Sequence, residues 1–529
     1  MRVSLLSALI ASAVPFASGF GLTTSGTLWT VDTSGGLVFT IQSSNGDVTS
    51  LKYNGVECQD QTKYSQISSG LGSASCSWVQ TGNSNNYIKI TCTTSTLTQY
   101  YVAQYKSASL HMATYTTAEP SVGELRFIAR LARSALPNGI AAANIEGGTA
   151  IEGSDVFLVS GQTRSKFYSS VPFYKDQVHG VTGSGVGAYM VIPGTGYESS
   201  SGGPFFRDID NQGGTQQELY FYMNSGHMQT ESYRQGLHGP YSLVFTSGSA
   251  PSSTIDYTFW EGLGSVSGLV TAASRGYVKG KAVDVPDAYA SDTTVTFNNS
   301  VAQYWATIGS DFNFYSPAMK PGTYSMILYK GELAVGEQSV VVGAGETVSS
   351  NIHDTSGVDT TTYIWQIGEF DGRPTGFLNA DMIETMHPSD TRMHDWVRTY
   401  TVGQQDIGYF PMAAFQAVGA VTIRFALASG QGGARTLVIA TTSAFAGGRP
   451  VVTVNSWTSS IPPAPNDLSS RGVTRGTWRG INQYYTYAIP DGTLSTGSTV
   501  NVITISVASG SSGDTYLSPN FVFDAVALY

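Results

Sequence analysis

Ionisable side chains are scarce in this sequence. Charged residues make up only 12% of its 529 positions, and the shortage of Lys and Glu argues against a protein built on amphipathic helices. Basic residues are the minority among them: 27 Lys and Arg stand against 37 Asp and Glu, a net charge of −10. That balance excludes nucleic acid as a general partner, because holding phosphates needs a basic face. An anionic substrate is not excluded, since a local basic cleft in an acidic protein still steers carboxylates. Past the N-terminus no stretch is apolar for the ~20 residues that a membrane span requires, so a membrane partner is not expected. Only three cysteines occur, Cys58, Cys76 and Cys92. They allow one disulfide, confined to the first part of the chain, and leave open which pair forms it.

What is abundant points to β-structure. Sixty Gly and thirty Tyr, with many Ser and Thr, describe short strands joined by tight turns. With ~150 residues as an ordinary domain, the chain is expected to hold about three modules. Residues 1–19 have the regions of a secretory signal peptide: Met1-Arg2, an apolar run from Val3 to Phe16, and small residues up to Gly19. Residues 20–272 carry alternating strands such as Leu37-Val38-Phe39-Thr40-Ile41, suited to a large sandwich. Residues 273–351 read as a small fibronectin-III-like sandwich with Pro-Gly turns, and 352–529 as a jelly roll closing on the alternating strand Phe521–Tyr529. Asn298-Asn299-Ser300 is a glycosylation acceptor at Asn298, in keeping with secretion. Trp365, Trp396, Trp457 and Trp478 of the last module are candidates for stacking on sugar faces, with an ordinary core role as the plain alternative.

The chemistry-bearing residues gather in the first module. The stretch Leu219–Tyr241 alternates as a strand through Tyr220 and Tyr222, breaks at Asn224-Ser225-Gly226 and then presents His227, with Glu231, Arg234 and His238 following. In Gly123–Leu131, Leu125, Phe127, Ala129 and Leu131 share one strand face, which puts Arg126, Ile128 and Arg130 on the other. Lys166 follows Arg164 by two residues; if the strand continues, that neighbouring cation lowers the lysine's basicity. Glu198, Asp208 and Asp210 could offer oxygens to a calcium ion, although their spacing fits no standard calcium loop.

No pair of carboxylates stands out as a hydrolase would require. The richer set is cationic and phenolic: Arg126, Arg130, Arg164, Lys166, Lys175, His179, Arg207, Tyr220, Tyr222, His227 and Arg234. Such a set suits β-elimination from a uronic acid. There a base removes the C5 proton, an acid protonates the departing C4 oxygen, and a cation neutralises the carboxylate as enolate character develops.

The segments GELRFIAR, GTAIEGSDVFLV, TRSKFYSS, YMNSGHMQTESYRQGLHGPY, IGEFDGRPTGF and SRGVTRG closely resemble the fungal rhamnogalacturonan lyases of polysaccharide lyase family four, along essentially the whole mature chain. The resemblance implies an all-β protein: an N-terminal β-supersandwich of the galactose-mutarotase-like kind, a fibronectin-III-like middle domain and a C-terminal carbohydrate-binding-like jelly roll. It implies a secreted endo-acting enzyme that cleaves the rhamnose-α-1,4-galacturonic acid bond of rhamnogalacturonan I and leaves a 4,5-unsaturated galacturonate. By motif, Lys166 of TRSKFYS is the base and His227 of MNSGH the acid. Arg126 of ELRFIAR pairs with the carboxylate, while Tyr220 and Tyr222 shape the cleft. No cofactor is required, and any bound calcium is structural. The expected partner is the polysaccharide, and the chain is expected to act as a monomer. The cysteines depart from the family's two-bridge pattern. The rival readings are a rhamnogalacturonan hydrolase and a noncatalytic pectin-binding protein, with a mutarotase-like activity more distant.

Overall fold

A computed structural model describes residues 19–121, 123–140, 145–227, 230–383, 386–393, 395–465, 472–509 and 515–529. The signal-peptide expectation falls on residues outside this set, apart from Gly19. Regular structure in the described residues is β-strand with short 3-10 turns. The first module contains a five-stranded antiparallel meander from Gly21 to Glu57, a seven-stranded sheet, a four-stranded sheet and a three-stranded sheet. In the four-stranded sheet the order is Asn211–Gly213, Gln217–Ser225, Glu124–Leu131, Gln66–Ile67. Its arginine strand, Glu124–Leu131, buries Leu125, Phe127, Ala129 and Leu131 completely, as the alternation predicts. They join one core with Leu37, Phe39 and Ile41 of the meander and Leu110 and Met112 of the larger sheet. The other face of the strand is covered too, because Ile128 between the two arginines is only 2% exposed.

Cys76 and Cys92 face each other on adjacent strands and form the disulfide; Cys58 is free and buried. Burial pushes the Cys58 thiol up to about 11, so it stays protonated and inert.

The middle module sandwiches two sheets, one built on Tyr277–Val283 and one ordered Gln303–Thr307, Thr293–Asn298, Gly322–Lys330, Leu333–Val342. The last module pairs two five-stranded sheets, closed by Asn520–Leu528 in the centre of one of them, in a jelly-roll arrangement. Trp365 and Trp396 lie in its core, and Trp457 and Trp478 pack partly buried against it. The first two therefore offer no face to a sugar, because their rings are spent on packing.

Although the middle module's own sequence shows no ionisable cluster, it contributes one at its seam with the first. Glu198, buried in the first module, accepts from both terminal nitrogens of Arg275 at 2.7 and 3.0 Å, meets Lys320 Nζ at 3.1 Å and accepts from the Tyr304 hydroxyl at 2.8 Å. Burial alone raises this carboxylate, yet Lys320 and Arg275 outweigh it and hold Glu198 below its usual range. Arg234 braces the same region through Glu231, the Asn299 and Ser200 carbonyls and Gln303. Its role is structural, since its donors are taken up by these partners.

Candidate active site

The site is assembled from two sheets of the first module. The three-stranded sheet, Thr149–Glu152, Val156–Val159 and Gln162–Ser165, is a pair of hairpins. Its last strand ends one residue before Lys166. The strand extension assumed in sequence does not occur, because Lys166–Ser169 turns as a 3-10 helix capped by Ser165, whose Oγ accepts from the Phe167 amide. That turn takes Lys166 off the face of Arg164. The lysine amide donates to the Asp155 carbonyl at 2.9 Å, while its Nζ lies over the Phe157 ring, 5.8 Å from the centroid. Lys166 makes no ion pair among the described residues. Burial lowers its basicity; Asp155 and Glu218 oppose that, and Arg126 and Arg475 reinforce it, for a net shift downward. The cations responsible are thus Arg126 and Arg475 rather than Arg164.

Arg126 sits on the arginine strand opposite Tyr222, where a bulge shifts the register of the pairing. Its guanidinium stacks 5.4 Å from the Tyr222 centroid and is ion-paired to Glu124, two residues earlier on the same face. The Arg126 Nε is buried with no hydrogen-bond partner, an arrangement that normally carries a desolvation cost. Arg130, next on that face, is occupied by Glu218 at 3.4 Å and the Tyr64 carbonyl at 2.9 Å.

Tyr220 and Tyr222 point to one face of the strand Gln217–Ser225, stacked at 5.5 Å. The Tyr220 hydroxyl donates to Glu218 at 2.6 Å. Burial first, then the nearby carboxylates Glu218 and Asp208 respectively, push both phenols well above their ordinary range. Both phenols therefore favour the neutral form, in which they can donate hydrogen bonds.

His227 follows directly after this strand, as the turn pattern predicts, although the strand runs on through Ser225. Its ring packs edge-on to Phe167 at 5.5 Å and lies 5.8 Å from Tyr222. Nδ1 is 3.1 Å from both oxygens of Asp208, and Nε2 is 3.2 Å from Glu124. Asp208 orients the ring from behind and leaves Nε2 facing the side where Glu124 and Arg126 meet. The sequence pattern offers Asp208 as a calcium ligand or a hydrolase carboxylate and gives no signal for its place, or that of Glu124, beside His227.

The proposed calcium trio does not form, because Glu198 is engaged at the seam and Asp208 on His227. Among the described residues the one potential metal cluster is Asp176, His179 and Asp210. Its histidine is saturated: Nδ1 is 2.7 Å from Asp176 and Nε2 is 2.6 Å from the Tyr220 carbonyl. A carbonyl can only accept, so Nε2 carries hydrogen. Burial alone would lower this imidazole, but Asp176, Asp210 and these hydrogen bonds raise it to about 9. With both ring nitrogens engaged, the trio fits a buried ion pair that supports the tyrosine strand. His238 is fully buried, with burial pushing it down to about 3. Lys175 lies over the Tyr174 ring and Arg207 over Trp478.

What sequence reasoning missed most is the contribution of the last module. Glu152, on the first hairpin strand, meets His387 Nε2 at 2.9 Å and accepts from Thr474 at 3.0 Å. Thr163 donates through its hydroxyl to Asp390 at 3.0 Å and accepts from the His387 amide at 3.0 Å. Ser165 donates to the Arg475 carbonyl at 3.1 Å, and the Arg475 side chain meets Asp155 at 2.9 Å. The hairpin that ends in Lys166 is therefore clasped by residues more than two hundred positions away in sequence.

In a chain of three β modules, Lys166, Arg126 and His227 gather around the rings of Phe157, Phe167 and Tyr222, a set of side chains that fits a polysaccharide lyase. Family descriptions match each part: "Rhamnogalacturonan lyase B, N-terminal" over residues 20–268, "Polysaccharide lyase family 4, domain II" over 274–350 and "Polysaccharide lyase family 4, domain III" over 363–528. Rhamnogalacturonate lyase A of Emericella nidulans is 52% identical, covering 98% of this chain and 99% of its own. Rhamnogalacturonate lyase A of Aspergillus aculeatus is 51% identical over the full length of both, and a probable rhamnogalacturonate lyase A of Aspergillus fumigatus is 53% identical over 97% of this chain and 96% of its own. The chain belongs to polysaccharide lyase family 4.

Proposed function

We propose that this protein is a secreted, endo-acting rhamnogalacturonan lyase that cleaves the rhamnose-α-1,4-galacturonic acid bond of rhamnogalacturonan I. The names of its relatives support the substrate. The observation that carries the mechanism is that Lys166, half-buried and without an ion pair among the described residues, gathers with a buried unpartnered arginine donor, Arg126 Nε, and His227 around Tyr222 and Phe167. Arg126 takes the galacturonate carboxylate and stabilises the charge that develops as C5 loses its proton. Lys166 Nζ, made less basic by its burial, receives that proton. The C5–H electrons form the C4–C5 double bond, the C4–O bond breaks, and His227 Nε2 gives a proton to the rhamnosyl oxygen. Tyr220 and Tyr222 wall the ring in as neutral phenols. The three cationic residues cover the three roles, so the reaction so drawn uses no metal. The enzyme acts as a monomer on the polymer, and residues 1–19 direct it out of the cell.

Ultraviolet absorbance of the conjugated uronate, followed on de-esterified rhamnogalacturonan I in the presence of a chelator, tests this reading. A rise is expected. A flat trace with falling viscosity would replace elimination by hydrolysis, and a flat trace with unchanged viscosity would leave only binding.

A further inference from the structure

The clasp between the last module and the Lys166 hairpin does more than fasten two domains, because it delivers a charge. Asp155 and Lys166 flank the paired residues Val156 and Ser165 at the end of an antiparallel ladder. They are therefore cross-strand neighbours, joined by the amide-to-carbonyl bond. An aspartate so placed is a natural partner for a lysine ammonium. In the structure its carboxylate is instead 2.9 Å from Arg475 Nη2. Arg475 is itself fixed: it lies in the 3-10 turn Val473–Arg475, with its carbonyl held by Ser165 and the preceding Thr474 held by Glu152.

We propose that Arg475, carried by the C-terminal module, is a positioning residue of the lyase site that claims the Asp155 carboxylate and so keeps it from pairing with the Lys166 ammonium. This rests on Lys166 being the base. The charged groups that bear on Lys166 are Asp155 from the adjacent strand, Glu218 from the tyrosine strand, Arg126 from the arginine strand and Arg475 from the last module. Of these, Glu218 is shared by Arg130 and the Tyr220 hydroxyl, and Arg126 is engaged by Glu124. Asp155 is the carboxylate whose hold on Lys166 depends on a residue outside the first module. With Arg475 gone, two effects add: a cation near the lysine disappears, and an anion beside it is unmasked. Both favour the protonated, inactive amine.

The test is the pH profile of kcat on rhamnogalacturonan I for the full chain and for Arg475→Gln, Asp155→Asn, the double variant and Arg475→Lys, with Lys166→Ala as control. In Arg475→Gln the acidic limb should move up by about one pH unit, with about a tenfold loss on that limb and recovery at higher pH. Asp155→Asn should move the limb down. The double variant should return it to or below the starting position, and Arg475→Lys should keep it near that position. An equal loss at every pH in Arg475→Gln, or no return in the double variant, would overturn the proposal and leave Arg475 a purely structural clasp. If Arg475→Gln fails to fold, Arg475→Lys and Asp155→Asn decide: an Asp155→Asn limb that does not move down sinks the idea. Activity surviving in Lys166→Ala would instead refute the assignment of the base, which separates the two failures.

Discussion

Two regions of the first module bury several charges, and they treat them in opposite ways. At the seam with the middle module, Glu198 is saturated by Arg275, Lys320 and Tyr304. Each desolvated charge there has its counter-charge within hydrogen-bond range, the condition under which a buried pair can persist. Around Tyr222, Lys166 is half-buried without an ion pair among the described residues, and Arg126 Nε is buried with no acceptor there. The seam saturates four groups, whereas these two are left unmet at the place where the proposed mechanism puts a substrate carboxylate and a C5 hydrogen. On the proposed mechanism, the contrast separates charge used to hold modules together from charge held in reserve for a transition state.

Substitutions should act on different observables in the two regions. The largest effect is expected for Lys166→Ala, which should lower kcat by about three to four orders of magnitude while the melting temperature barely changes; steady-state kinetics beside thermal unfolding would show it, and near-normal turnover would remove Lys166 from the mechanism. At the seam, Glu198→Gln strands Arg275 and Lys320 and should cost about 3–5 kcal/mol in stability, with kcat of the folded enzyme unchanged. Denaturant titration measures this, and an active-site defect without destabilisation would collapse the comparison. The smallest effect should come from pH at His179. Its ring is raised from an ordinary 6.5 to about 9 in the folded protein, so its contribution is fully present below about pH 6.5 and is lost as pH rises through 9. The melting temperature should fall across that window in the parent enzyme and fall less in His179→Gln.

Local pattern carried much of this organisation, and its failures share a cause. Alternation in Glu124–Leu131 placed the four apolar residues inward correctly, because a pleated strand must send successive side chains to opposite faces. The same logic put Tyr220 and Tyr222 side by side and His227 just beyond the strand. It failed at Lys166, where continued alternation was assumed but Ser165 caps a 3-10 turn; a serine before a lysine does not announce that. The sequence points to Arg164, the neighbour two residues away, whereas Arg126 and Arg475 are the cations that bear on Lys166. The tryptophans of the last module suit either a sugar platform or a core, and Trp365 and Trp396 fill the core. Nothing in a periodicity could bring Arg475 to Asp155 or His387 to Glu152. Those contacts depend on how whole modules dock, and docking leaves no short-range signature.

The position of Arg475 in the chain has a consequence in time. A ribosome emits the hairpin with Lys166 long before it emits the turn that clasps it, and N-terminal domains generally fold first. On the reading given for Arg475, the early-formed hairpin waits with its lysine beside an unclaimed aspartate until the last module folds and docks. An enzyme arranged in this way reaches full strength only once nearly all of its length has been made, so that nascent or truncated copies begin life attenuated.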